Sequence, residues 1–151
     1  MNFKRINEGF RHGQLLQMID EGYINLDFCG IMRDASATDP SSVVQIIHIY
    51  CAEMESLLFR LNRMTKDGSA DLAVVTELSR TAKLKSERIG AERVLLECSN
   101  LVQACENKDI DNIHEALFYV KNEFKYTKTK LLDFAKLQKR IVNLENEEKK
   151  K

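Results

Sequence analysis

The chain has 151 residues, 30% of them charged, and its 23 basic and 23 acidic side chains cancel at neutral pH. This length suits a single domain with one buried core. The balanced charge argues against a general nucleic-acid or membrane-surface binder, because such proteins concentrate basic residues. The sequence has neither an apolar stretch of signal-peptide length at its N-terminus nor 18 consecutive apolar residues, so we expect a soluble, intracellular protein.

The chain has four cysteines, which show neither CxxC spacing nor companion histidines: Cys29, Cys51, Cys98 and Cys105. This pattern predicts no metal site. Cys98 and Cys105 lie seven residues apart, on one face of a helix, among apolar residues. We therefore expect reduced cysteines that act as small core residues.

The order of apolar and helix-breaking residues predicts an all-α fold. Proline occurs once, glycine six times, and no segment alternates between apolar and polar residues as a half-buried strand does. Phe3–Ile19 and Ile24–Met32 are predicted to form two short helices. Asp39 and Pro40 predict the start of a third helix, with the aspartate as N-cap. This helix carries an apolar stripe at steps of three and four residues and is predicted to end at 66–68: Val43, Ile47, Tyr50, Met54, Leu57, Leu61 and Met64.

Three further helices complete the prediction. One begins near Ser69 and Asp71. If it continued through Cys105 it would be a single helix of improbable length, so we place a break near Ser86, and the second of the three helices follows this break. The last helix follows Asn107–Asp109 and reaches Leu144. Its predicted core stripe is Ile110, Ile113, Leu117, Val120, Phe124, Thr127, Leu131, Phe134 and Ile141.

The predicted architecture is one domain over 1–151. Residues 39–144 form an antiparallel four-helix bundle, the two helices within 1–35 pack across one end of it, and 145–151 form a charged tail that frays.

The segment 76–94 reads TELSRTAKLKSERIGAERV and concentrates basic residues at Arg80, Lys83, Lys85 and Arg88. Taken alone, these residues are typical of the solvated face of an ordinary helix. The three histidines are not spaced for metal binding or for a catalytic triad, and we assign them no catalytic role: His12 in a mobile N-terminal segment, His48 partly buried, and His114 at the edge of the core.

This segment resembles the acceptor motif of plant histidine-containing phosphotransfer (HPt) proteins, which reads roughly HQLKGSSSSIGAQRV. In that motif the histidine precedes the isoleucine of IGA by nine residues, and counting back nine from Ile89 reaches Arg80. Further short matches follow in the same order along the chain: EGYI at 21–24 with the family's EGIL, DP at 39–40 with its NP, VKNEF at 120–124 with its VKQEY, and KL at 136–137 with IV at 141–142 against its KLEQQIV.

The departures from the motif fall at its centre. Arg80 replaces the phosphoacceptor histidine, Leu84 replaces a glycine, and 85–88 replaces a serine run, whereas Lys83 keeps the family's lysine. This pattern resembles the pseudo-phosphotransfer proteins, which lack the histidine and oppose cytokinin signalling by competing with active shuttles. The resemblance implies an HPt-like helical bundle that is not an enzyme and has no cofactor. It also implies a monomer that is located in cytoplasm and nucleus. The implied partners are the receiver domains of hybrid sensor histidine kinases and of response regulators. Binding to nucleic acid or to a membrane is not expected.

Arginine cannot replace histidine in phosphoryl transfer. The acceptor needs a free nitrogen lone pair near neutral pH, and imidazole, with a pKa of about 6.5, supplies one. The guanidinium stays protonated and its electrons are delocalised. Leu84 also adds bulk where the family's glycine leaves room for a receiver.

Binding can survive the loss of chemistry. Arg80 and Lys83 present positive charge to the acidic phosphorylation pocket of a receiver. In the family, receivers also contact an apolar surface to which the second helix contributes, and the matching candidates are Ile24, Phe28 and Ile31. Two alternatives stay open: an active phosphotransfer protein that uses His48 or His114, and a helical-bundle scaffold outside the phosphorelay.

Overall fold

The computed structural model describes residues 2–66 and 71–150, and within these ranges the chain forms helices joined by short connections. The six helices in this part of the chain are α1 (Phe3–Asp20), α2 (Leu26–Thr38), α3 (Ser42–Lys66), α4 (Leu72–Ile89), α5 (Glu92–Glu106) and α6 (Ile110–Lys149). The predicted all-α fold is confirmed.

Helices α3 to α6 form an antiparallel bundle around a continuous apolar core. Tyr50 of α3 meets Phe124 of α6 edge to face, with 6.1 Å between ring centroids. Further along the same two helices, Lys121 Nζ donates to Asn62 Oδ1 at 2.9 Å, so α3 and α6 run in opposite directions. The predicted stripes are buried, because removing their apolar area from water is the main favourable term in folding. Met64 is only partly buried, however, and Ile110 is 51% exposed at the first turn of α6.

The two N-terminal helices differ in position. Helix α2 covers the end of the bundle where α4 turns into α5: the Asn25 N–H donates to the Gly90 carbonyl at 3.0 Å, and the Phe28 and Phe134 rings lie 5.7 Å apart. Helix α1 instead lies beside the second half of α6. There Gln14 Nε2 donates to the Lys130 carbonyl at 3.3 Å. The prediction that α1 also crosses this end is wrong, because α1 packs along α6.

The connection between α2 and α3 corrects the predicted helix start. Helix α2 runs on to Thr38, and Asp39 is its C-cap, not the N-cap of the next helix. Asp39 Oδ1 accepts from the backbone N–H of Ser41 at 3.1 Å and from its hydroxyl at 2.8 Å. Asp39 and Pro40 therefore form a turn, and α3 begins at Ser42.

The break between α4 and α5 lies at Gly90, not near Ser86. Gly90 has φ +79°, the left-handed conformation that commonly ends helices and that glycine adopts without a side-chain clash. Ser86 lies inside α4 and is fully buried. Helix α6 extends to Lys149, past the predicted end at Leu144, so 145–149 are helical. The predicted end of α3 at 67–68 and the predicted start of α4 at Ser69 lie outside the described residues.

All four cysteines are unpaired thiols, and Cys51, Cys98 and Cys105 are buried as expected, whereas Cys29 is half-buried. Helix α3 is long and apolar enough to cross a membrane by length and composition alone. Its apolar stripe packs into the bundle core, as the central helix of a helical bundle does.

Candidate functional site

Helix α4 holds the basic segment in a fixed orientation. Asp71 caps its N-terminus, with Oδ1 accepting from the Ala73 N–H at 2.9 Å, and Gly90 ends it. One face of α4 is buried in the core through Val75, Leu78, Ser79, Ala82, Ser86 and Ile89. Side chains three and four residues apart share a helix face, so Arg80, Lys83 and Leu84 lie together on the outer side. Arg80 is exposed, Leu84 is 44% exposed, and Lys83 is half-buried.

Arg80 forms an ion pair with Glu106, the last residue of α5. The distance between Arg80 Nη2 and Glu106 Oε1 is 3.3 Å, and the two side chains are 53% and 46% exposed. Exposed ion pairs contribute at most about 1 kcal/mol, because water and salt screen the charges and the side chains lose freedom. A partner's carboxylate can therefore replace Glu106 at little cost in free energy.

The predicted apolar surface of α2 needs correction. Ile24 is 2% exposed and Phe28 is fully buried, so both belong to the core and neither can contact a partner. Phe28 packs against Phe134, and Ile24 lies in the same apolar cluster. Of the three candidates, only Ile31 is partly accessible.

Ile31 lines a surface groove between α2, α3 and α4, here called the α2–α4 groove. It has a volume of about 240 Å³, and its side chains include Ile31, Ile46, Ile49, Glu53, Lys85 and Arg88. Ile49 is 56% exposed. Lys85 forms an ion pair with Glu53 across the groove, and Arg88 is exposed at its rim. The groove thus combines an apolar floor with basic side chains beside the outer face of α4.

Sequence reasoning missed Ile46 and Ile49. Both lie off the core stripe of α3, three residues apart, and therefore on a second apolar face of that helix. A search for apolar residues left over after the core stripe is assigned would have found them.

A buried hydrogen bond joins α3 to α4 beneath the groove. The hydroxyls of Tyr50 and Ser86 lie 2.8 Å apart. Burial is the main cause of the raised pKa of Tyr50, so the phenol is uncharged at neutral pH. Together with the buried face of α4, the bond holds this helix against α3.

The remaining candidate nucleophiles do not lie at this site. Burial raises the pKa of Cys51 to about 11 and that of Cys98 to about 12, which keeps both thiols protonated and unreactive at neutral pH. The three histidines are all exposed, so the predictions of partial burial for His48 and of a core-edge position for His114 are wrong. His12 lies within α1 and not in an irregular segment.

The outward histidines of the bundle face away from α4. His48 lies seven residues before Glu55, which is about two helical turns, so the two residues share a face of α3. Glu55 forms an ion pair with Lys128 of α6. His114 is seven residues before Lys121, which bonds to Asn62 of α3. Both histidines thus lie on the α3–α6 side, whereas the basic segment lies on the α4 side.

The chain was compared with known proteins by sequence and by structure. It is 24% identical over 128 residues to histidine-containing phosphotransfer protein 2 of Arabidopsis thaliana, covering 84% of this chain and 82% of the relative. It is 25% identical over 122 residues to histidine-containing phosphotransfer protein 1 of the same plant, covering 81% and 79%. The chain is homologous to plant histidine-containing phosphotransfer proteins. No protein-family model matches it.

Solved structures of histidine-containing phosphotransfer proteins share the fold. The maize protein superposes with a TM-score of 0.83 at 21% identity, covering 89% of this chain and 99% of that one. The protein from Medicago truncatula gives 0.83 at 20% identity and covers 95% of both chains. At these identities the structural likeness shows the fold alone. Arg80, at the position where the motif spacing predicts an acceptor histidine, is exposed.

Proposed function

We propose that this protein binds receiver domains of two-component systems without accepting a phosphoryl group, and so lowers the flux of a cytokinin-type phosphorelay. It would act in cytoplasm and nucleus, as a monomer that competes with active shuttles for hybrid sensor kinases and response regulators. One observation carries the proposal: the residue aligned with the acceptor histidine is an arginine on the exposed face of α4.

The chemical half of the proposal depends on that arginine. A guanidinium stays protonated at neutral pH and offers no lone pair to a phosphoryl group. His48 and His114, the other candidates in the bundle, are exposed on the side towards the α3–α6 contact. A receiver that docks on α4 would bring its aspartate to Arg80 and to neither histidine.

The binding half depends on what surrounds Arg80. Arg80 and Lys83 supply positive charge for an acidic pocket, because charge complementarity raises association rates and fixes orientation. The α2–α4 groove beside them offers Ile46 and Ile49 as an exposed apolar contact. Together they form a surface with an ionic and an apolar part, as specific interfaces have.

Phosphate transfer is the first test. A receiver domain labelled with phosphate on its aspartate is mixed with the wild-type chain and with an active phosphotransfer protein. We expect label on the active protein and none on this chain. The variant Arg80→His with Leu84→Gly restores the imidazole and the space beside it, and should take up a measurable fraction of the label. Phosphate uptake by the wild type would overturn the proposal and favour an unconventional histidine.

Receiver binding is the second test, measured by calorimetric titration of an unlabelled receiver. Ile49→Asp places a charge in the groove and should weaken binding more than tenfold, because burying an unpaired carboxylate is costly. Phe59→Asp is the matched control, since Phe59 is also an exposed apolar residue of α3, 62% exposed, but does not line the groove. Arg80→Ala should weaken binding about fivefold through loss of a charge pair.

The two tests also address the scaffold alternative. A chain that neither accepts phosphate nor binds any receiver would have left the phosphorelay, and the proposed function would then be wrong. If Ile49→Asp and Phe59→Asp have equal effects, the docking surface does not include the α2–α4 groove.

A further inference from the structure

A second cavity lies on the opposite side of α2 from the groove. It lies between α1, α2, α3 and α6, opens to solvent, and has a volume of about 300 Å³. Ile31 faces the groove, whereas Met32 and Ser36 of the same helix line this cavity. It is thus separate from the proposed receiver surface, and nothing in the proposed function uses it.

The cavity has an apolar floor and a basic rim. Leu15, Met32, Val43 and Phe134 supply apolar surface, and Arg11 and Arg33 supply positive charge. The lining includes no acidic residue. Arg33 is largely exposed and lies 3.7 Å from its neighbour Asp34, so Arg11 is the cation that the cavity itself can use.

Gln138 holds the guanidinium of Arg11 at the cavity wall. Gln138 is 2% exposed, and its Nε2 donates to the Pro40 carbonyl at 3.0 Å and to Ser36 Oγ at 3.5 Å. These bonds fix the amide, so Oε1 points outward and accepts from Arg11 Nη1. Because these hydrogen bonds are all formed, the buried amide of Gln138 is rigid and holds the Arg11 guanidinium in place.

The guanidinium of Arg11 keeps most of its bonding capacity. Arginine has five N–H donors, and one of them is used by the neutral Gln138 amide. Within residues 2–66 and 71–150, no carboxylate oxygen lies within 4 Å of it. A half-buried cation with a neutral partner beside an apolar cavity is suited to a carboxylate, which binds a guanidinium through two parallel hydrogen bonds.

We propose that this cavity binds a small organic carboxylate with a flat apolar body, whose carboxylate pairs with Arg11 and whose body lies between Leu15 and Phe134. The volume is at the lower end of the range for ligand pockets, which limits the ligand to roughly 15 non-hydrogen atoms.

The test uses 2-naphthoate as the probe and its uncharged analogue 2-naphthamide as the control ligand, added to the full chain while amide NMR shifts are recorded. We expect saturable shifts in α1, α2 and the second half of α6 with naphthoate, and at least tenfold weaker binding of the amide. Arg11→Met should weaken naphthoate binding at least tenfold, and Arg11→Lys should restore part of it. Arg5→Met removes the same charge from an exposed position on α1 and should leave binding unchanged.

Leu15→Phe is a second, independent variant, because it fills part of the cavity without touching the guanidinium; it should weaken binding of both probes. Circular dichroism checks that each variant is folded. Equal affinity for naphthoate and naphthamide, equal effects of Arg11→Met and Arg5→Met, or the absence of saturable binding would each overturn the proposal. None of these results bears on receiver binding, which the titration above measures separately.

Discussion

Arg80 at the centre of α4 and Glu106 at the end of α5 form an ion pair on the outer side of α4, with 3.3 Å between Arg80 Nη2 and Glu106 Oε1. The carboxylate of Glu106 therefore pairs with Arg80, the cation that the proposed function expects to pair with a receiver. If the proposed function is correct, Glu106 and the acidic pocket of a receiver would compete for the same guanidinium.

Removing this competitor should strengthen receiver binding. We expect Glu106→Gln to raise the affinity two- to fivefold at low ionic strength, because a pair this exposed is worth at most about 1 kcal/mol. The gain should shrink as salt is added, since salt screens exposed charges. The measurement is a receiver titration at two ionic strengths.

Glu97→Gln is the control for that change, because it alters the net charge equally on the same helix but forms no ion pair with Arg80. If both variants strengthen binding to the same degree, the effect comes from overall charge and not from competition at Arg80. The unfolding free energy of Glu106→Gln should fall by at most about 1 kcal/mol, the upper limit for an exposed ion pair.

Gly90→Ala should destabilise the fold by more than about 2 kcal/mol. Gly90 has φ +79°, and an added Cβ would lie 2.6 Å from the Phe28 backbone nitrogen and against Asn25 Oδ1. Backbone atoms cannot move aside as a flexible side chain does, so the loss should exceed the cost of the left-handed conformation alone. Urea unfolding measures it.

Gly30→Ala provides the comparison. Gly30 lies inside α2, and a Cβ there would meet nothing within 4 Å. This substitution should stabilise the protein by about 0.5 to 1 kcal/mol, because alanine loses less freedom than glycine on forming a helix. If the two substitutions change the unfolding free energy similarly, the close approach of α2 to Gly90 is not the cause of the destabilisation.

The sequence was sufficient for the helices and the core, because the apolar stripes have helical spacing and most of their residues are buried. It was insufficient where two neighbouring signals compete. Asp39 and Pro40 are typical of a helix start, but Asp39 ends α2 and bonds forward to Ser41. Ser86 and Gly90 both weaken a helix, and only Gly90, with its positive φ, ends one.

The arrangement of the candidate site residues could be predicted in part. Spacing alone gave Arg80, Lys83 and Leu84 on one face, since residues three and four apart on a helix are neighbours. The apolar surface was misassigned, because periodicity cannot tell which side of α2 faces the bundle. Phe28 turned out to be buried, and the accessible apolar residues came instead from the second face of α3. The Arg80–Glu106 pair joins residues 26 apart in sequence, so no local pattern could indicate it.

The bond between Tyr50 and Ser86 should be worth about 1 kcal/mol. Tyr50→Phe leaves the buried Ser86 hydroxyl with weak sulfur partners, Met54 Sδ at 3.9 Å and the Cys98 thiol, so we expect a loss of about 1 to 2 kcal/mol. Ser86→Ala should cost a similar amount. The double variant should cost less than the sum, because neither hydroxyl is then left without its partner.

Chemical unfolding of the four proteins of this cycle measures the coupling free energy. Additive losses would mean that the two hydroxyls do not stabilise each other. The Tyr119→Phe variant removes a phenol that is 45% exposed and should change stability by less than about 0.5 kcal/mol.

Stability should fall as the pH rises from about 9 to 12. Burial is the largest cause of the raised pKa of Cys98, to about 12, and of Cys51, to about 11, from ordinary values near 9. Between the unfolded and folded pKa values the folded state binds more protons than the unfolded state, so the unfolding free energy decreases with pH. The stabilisation is complete below pH 9 and is lost as the pH approaches the folded pKa.

Each such thiol contributes a slope of at most about 1.4 kcal/mol per pH unit in this window. The variants Cys98→Ala and Cys51→Ala will be less stable at pH 7 because they leave cavities, but their stability should fall less steeply between pH 9 and 12. Cys29→Ala is the control: burial also raises the pKa of Cys29, but this thiol is only half-buried, so its removal should change the slope least. Unfolding free energies at four pH values from 7 to 11.5 give the slopes, and an unchanged slope in Cys98→Ala would mean that this thiol ionises without unfolding the bundle.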